Sequence, residues 1–86
     1  AMIAAGQQLG LSETLATRLT VDTALGAARM ARESGETPAQ LRINVTSPGG
    51  TTEAALRTLD DRASRDAVIA ALAAAAERAR TLAEEL

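Results

Sequence analysis

Residues 37–56, TPAQLRINVTSPGGTTEAAL, decide the fold. The stretch opens with a threonine, a proline and, three residues after the threonine, a glutamine. A hydroxyl cap at Thr37, a proline at the first helical position and Gln40 in the capping-box position mark a helix N-terminus. A short helix is therefore predicted, ending near Val45 or Thr46. Ser47-Pro48-Gly49-Gly50 cannot continue it, because proline breaks a helix interior and two glycines disfavour one. A second helix is predicted from Thr51 to about Leu59, with Leu56 and Leu59 on its inner face.

The same punctuation extends outward in both directions. Residues 2–9 read as the end of a helix closed by Gly10. Ser12 is a good N-cap for the next one, and Glu13 opposes the helix dipole in its first turn. That helix is predicted to run to about Glu33 and to stop at Ser34-Gly35. Leu15, Leu19, Gly26 and Met30 mark one face, and Ala16, Ala24, Ala27, Ala28 and Ala31 widen it until the middle is apolar nearly all round. A helix of that kind is buried on several sides, which is hard to arrange in one copy of so short a chain. Downstream, Asp60 to Ala63 read as a bend, with Ser64 capping the last helix and Asp66 helping. Ile69, Leu72, Ala76, Ala79, Ala83 and Leu86 recur at alternating three and four spacing, a seam suited to a partner helix. No segment has strand periodicity, so the expected fold is all-α with about five helices, and no internal repeat is visible.

Composition bounds the chemistry. The chain has 86 residues, no cysteine, no histidine and no aromatic residue. One small domain is the most this length holds, and a chain this size buries only about 60–65% of its unfolded surface. Disulfides, thiol catalysis, histidine general bases and stacking on bases or sugars are all ruled out. The core has to come from Ala, Leu, Ile, Val and Met, and small domains without staples often gain stability by oligomerising. A net charge of -2 argues against a nucleic-acid partner. The longest apolar run, Ala67 to Ala76, falls short of the roughly 20 residues that span a bilayer. The opening AMIAAGQQLG resembles a helix already in progress rather than a signal peptide, so the chain is expected to be a piece of a longer protein.

Taken alone, the loop has two readings. Its dipeptides are turn punctuation. They also suit an anion site: Gly49 and Gly50 let the backbone approach a ligand closely. The N–H groups of Gly50, Thr51 and Thr52 would then point out of a helix N-terminus. It is not a Walker A loop, since the spacing differs and no lysine follows. The sequon at Asn44 is discounted, because the segment reads as helical. Asp60, Asp61, Glu84 and Glu85 read as solvated helix ends rather than metal ligands, so no metal is expected. Glu77, Arg80 and Glu84 are spaced as exposed helix pairs.

PAQLRINVTSPGGTTEAAL, preceded by AMIAAGQQLGL and LGAARMARESGETP and followed by an alanine-rich helix, resembles the C-terminal helical domain of pyrroline-5-carboxylate reductases. The resemblance covers essentially the whole chain. It implies a dimerisation domain, residues 1–86, whose helices intertwine with those of a second subunit, and a parent enzyme of proline biosynthesis. That enzyme reduces 1-pyrroline-5-carboxylate to L-proline with NAD(P)H, passing a hydride to the C=N carbon while the nitrogen is protonated. The cofactor belongs to an N-terminal Rossmann domain. No glycine-rich dinucleotide fingerprint occurs here, so no cofactor and no activity are expected of this chain alone.

Carried over by position, Ser47, Gly49, Gly50, Thr51 and Thr52 would bind the substrate carboxylate and ring nitrogen, with Thr52 the candidate catalytic hydroxyl. A cytoplasmic homodimer, or an oligomer of dimers, is implied, with a small imino acid as substrate and neither nucleic acid nor membrane as partner. Ile43, Ala55 and Asp60 to Ser64 depart from the family's acidic residue, glycine and glycine-rich bend. The alternatives are a free-standing helical dimer acting as an interaction module, or a reductase-like protein with another imino-acid substrate.

Overall fold

The computed structural model describes residues 1–86 and contains five α-helices and no strand: α1 (Met2–Gln8), α2 (Glu13–Glu33), α3 (Pro38–Asn44), α4 (Thr51–Asp61) and α5 (Ser64–Glu84). The all-α expectation is met. The helices group into two compact units, residues 1–42 and 43–86.

In the first unit α1 packs against α2. Their connection is set by backbone hydrogen bonds at the end of α1. Gly10 has φ +101°, its N–H donates to the Gln7 carbonyl, and the Leu11 N–H donates to the Gly6 carbonyl. This paired closure is the Schellman motif, which needs a left-handed residue that glycine adopts without strain. Ser12 then caps α2, its hydroxyl accepting from the Leu15 N–H at 3.2 Å. The two helices approach closely where Gly6 meets Ala16: a β-carbon on Gly6 would lie 2.9 Å from the Ala16 methyl. Ala16 is the one buried residue of α2. At the other end Ser34 terminates the helix, followed by Gly35 at φ +75°. Thr37 starts α3 as expected, its hydroxyl accepting from the Gln40 N–H at 3.1 Å.

In the second unit α4 packs against α5. Here three local expectations are corrected. The third helix stops at Asn44 rather than Val45 or Thr46, and the Thr46 N–H turns back to the Ile43 carbonyl. The fourth runs on to Asp61, so the bend shrinks to Arg62 and Ala63. Ser64 is not the cap of α5 but its first residue; Ala63 occupies the cap, at φ 54° and ψ 38°. That is the left-handed region, which costs an alanine roughly 1–2 kcal/mol. Ala63 closes α4 and opens α5 together, because one left-handed residue both donates to the Asp60 carbonyl and redirects the chain.

The resemblance places a glycine-rich bend here, and this chain carries a strained alanine instead. Ala63→Gly is therefore expected to stabilise the protein. Relief of the strain outweighs the extra freedom glycine gains when unfolded, leaving about 0.5–1 kcal/mol. At fixed protein concentration the melting temperature should rise by about 2–5 °C. An unchanged or lower value would show that the bend carries no strain.

The surface is unusual for a folded chain. It amounts to 7224 Å², whereas two separate globules of half the mass would together expose only about 5,800 Å². Large apolar side chains contribute to it: Leu15, Leu19, Val21, Leu25 and Met30 of α2 and Val68, Ile69 and Leu72 of α5 are all exposed. The expected seam on α5 is exposed at Ile69, Leu72 and Leu86. Leu56 of α4 is half-buried, but Leu59, expected inward, is 49% exposed. No helix is long and apolar enough to cross a membrane.

Candidate functional site

The loop between α3 and α4 is a β-turn with a specific cause for each residue. Pro48 presets the second position, and Gly49 at φ +72° takes the third, where a type II turn demands positive φ. The Gly50 N–H closes the turn on the Ser47 carbonyl at 3.0 Å. Gly50 itself is extended, at φ -83° and ψ 177°, which any residue adopts; its need for glycine is spatial. A β-carbon there would sit 2.6 Å from Ser47 Oγ and 3.1 Å from the Ser47 carbonyl oxygen. Gly50 is also the N-cap of α4, with no side-chain cap, and its carbonyl accepts from the Ala54 N–H.

This turn delivers the first residues of α4 as a cluster of donors. A helix leaves its leading N–H groups without intrahelical partners, and its dipole favours an anion there. At this end the groups are those of Thr51, Thr52 and Glu53. The expectation that the Gly50 N–H is also free is corrected, since the turn itself consumes it. Ser47, Gly49 and Thr51 are exposed, while Gly50 and Thr52 are half-buried. All five expected site residues thus fall within one turn and the helix start it feeds. The hydroxyls of Ser47, Thr51 and Thr52 take no partner from within the chain.

Sequence reasoning missed Glu53. Its Oε2 accepts from the Gly49 N–H at 3.2 Å, and its Oε1 accepts from Arg57 Nη2 at 2.9 Å. The signal was available: an acid three residues after the N-cap, with an arginine one turn further on, is a helix-start pattern. The other acidic residues assemble no metal site. Arg80 is paired with both Glu77 and Glu84 on the exposed face of α5, as their spacing indicated.

Comparison with known proteins gives a consistent result. Residues 1–82 match the family described as pyrroline-5-carboxylate reductase dimerisation. A pyrroline-5-carboxylate reductase of Pseudomonas aeruginosa is 52% identical over 86 residues, all of this chain and 32% of that protein. Pyrroline-5-carboxylate reductase 2 of Bacillus subtilis is 41% identical over 85 residues, 99% of this chain and 31% of that protein. Among solved structures, the NADP-bound pyrroline carboxylate reductase of Plasmodium falciparum superposes with a TM-score of 0.86 at 35% identity, covering 90% of this chain and 31% of that one. This chain therefore spans about a third of the length of the relatives it matches, in their C-terminal part. With its five helices, its SPGG turn and this continuous match, the chain belongs to the pyrroline-5-carboxylate reductase dimerisation family.

Proposed function

We propose that this chain is the dimerisation and substrate-binding part of an NAD(P)H-dependent pyrroline-5-carboxylate reductase. The observation that carries the reading is the Ser47–Thr52 arrangement: a closed turn feeding a helix start whose free donors stand beside three unengaged hydroxyls. A planar carboxylate fits such donors, because two N–H groups and a hydroxyl can share its two oxygens. In this reading the N–H groups of Thr51 and Thr52 and the hydroxyls of Ser47 and Thr51 hold the carboxylate of 1-pyrroline-5-carboxylate. The hydroxyl of Thr52, a half-buried residue at the second position of the helix, lies near the ring nitrogen and stabilises its N–H as the C=N bond becomes an amine.

An all-helical chain offers no strand–turn–helix cradle for a dinucleotide. In this reading the hydride donor is held mainly by another part of the parent enzyme. What this chain contributes is orientation and charge stabilisation at the imine.

The chain also acts as half of a homodimer. Its surface exceeds that of two compact half-sized globules by about 1,400 Å², the scale that each partner of an obligate dimer buries. The exposed leucines and valines of α2 and α5 are what such an interface covers.

Thr52→Ala in the full-length enzyme tests the site. One hydrogen bond to a charged group is worth roughly 1.5–3 kcal/mol, so catalytic efficiency should fall tenfold or more. Wild-type efficiency in a folded, dimeric variant would mean that the loop is only a turn, and would favour an interaction module without a ligand.

A further inference from the structure

We propose that Glu53 is a positioning residue for the substrate carboxylate, acting by holding the Ser47–Gly50 turn against the start of α4. The proposal rests on the reading of that turn as the carboxylate site. Its basis is the doubly bonded carboxylate. One oxygen holds the Gly49 N–H at 3.2 Å, and the other is held by Arg57 at 2.9 Å. The Glu53 side chain is 34% exposed against 71% for Arg57, so the acid lies against the turn while the arginine steadies it from solvent.

In a standard capping box the acid three residues into the helix reaches back to the N–H of the N-cap. Here the N-cap N–H, that of Gly50, is already bound to the Ser47 carbonyl. The carboxylate therefore reaches one residue further, to Gly49, the left-handed corner of the turn. This has two consequences for a ligand. The turn is tied to the helix it feeds, so Ser47 and the Thr51–Thr52 donors keep one relative placement. The Gly49 N–H is also withdrawn from the site, which restricts anion binding to the helix end. Arg57 pairs with the acid beside it and offsets part of its charge toward an incoming carboxylate.

The test is steady-state kinetics of Glu53→Asp and Glu53→Gln in the full-length enzyme, with Thr52→Ala alongside and dimer content checked for each. Aspartate keeps the charge at the helix start and suits that position, but it is one methylene too short to reach Gly49. Glutamine keeps the reach and an accepting oxygen while losing the charge. The expected result is a KM for pyrroline-5-carboxylate raised about fivefold in Glu53→Asp and within about twofold of wild type in Glu53→Gln. The KM for the nicotinamide cofactor should be unchanged in both. A purely helix-capping role moves the melting temperature and leaves the substrate KM alone, and that outcome overturns the proposal. So does the opposite pattern, with Asp normal and Gln impaired, or equal impairment in both. If Thr52→Ala loses efficiency while Glu53→Asp does not, the carboxylate site stands and the role of Glu53 fails. If neither changes, the loop reading itself fails.

Discussion

Leu25→Asp in α2 should abolish assembly of the protein. Nine residues separate Leu25 from Ala16, about two and a half helical turns, so Leu25 lies on the side of α2 opposite the one that α1 covers. It is 55% exposed in the single chain. For a monomer, an aspartate there is a surface substitution with an effect within about ±0.5 kcal/mol. In a dimer that buries this face, the change removes about 1.5–3 kcal/mol of apolar burial per site. It adds the several kcal/mol needed to strip water from an unpaired carboxylate. Symmetry imposes the penalty twice, and the sum approaches the whole stability of a small domain. Leu72→Asp, at 67% exposure on α5, should behave in the same way. Sedimentation velocity with circular dichroism at micromolar concentration checks both. A folded dimer that tolerates the two aspartates would remove these faces from the interface.

Gly50→Val should cost the full-length enzyme about tenfold or more in kcat/KM, because it disturbs the placement of the groups that the proposed site holds together. The cause is crowding inside the turn. The new β-carbon meets the Ser47 hydroxyl at 2.6 Å and the Ser47 carbonyl at 3.1 Å. The hydroxyl can rotate aside, but the carbonyl is backbone and is held by the closing bond of the turn. Relief then takes a shift of a few tenths of an ångström in the turn itself, which moves Ser47 relative to Thr51 and Thr52. A sequence-based argument that a side chain at Gly50 blocks the ligand reaches the same outcome by a different route. The Gly49→Ala change makes a useful contrast. Nothing lies within 4 Å of a β-carbon at Gly49, but its φ is +72°, so the cost there is backbone strain of about 1–2 kcal/mol. Kinetics of both variants, with dimer content measured alongside, separate the two effects. Wild-type efficiency for Gly50→Val would show that the turn geometry is irrelevant to catalysis.

Most helix starts and stops were legible in the sequence, because the interactions that set them span only a few residues. Ser12 and Thr37 cap the helices their positions indicated, each bonding an N–H three residues away. Gly10, Gly35 and Gly49 occupy the left-handed positions that end a helix or turn a corner. The turn of the candidate site was legible for the same reason: Pro48 and Gly49 specify a turn type by their own φ preferences, and α4 starts directly after it.

Where several local solutions compete, the tertiary structure chose. Ser64 is a better cap than Ala63 by side-chain chemistry, yet Ala63 holds the cap. The joint between α4 and α5 requires a left-handed residue, and the packing of those helices fixes where it falls. Glu53 could have reached Gly50 or pointed to solvent; the closed turn left Gly49 as the available donor. Composition and periodicity determined that this chain is all-helical, carries no histidine or cysteine of its own, and has apolar residues on nearly every side of α2. Which side of α2 meets α1 was decided only in three dimensions. Gly6 and Ala16 let the backbones approach closely there, whereas apolar periodicity on nearly every side of a helix cannot rank its faces.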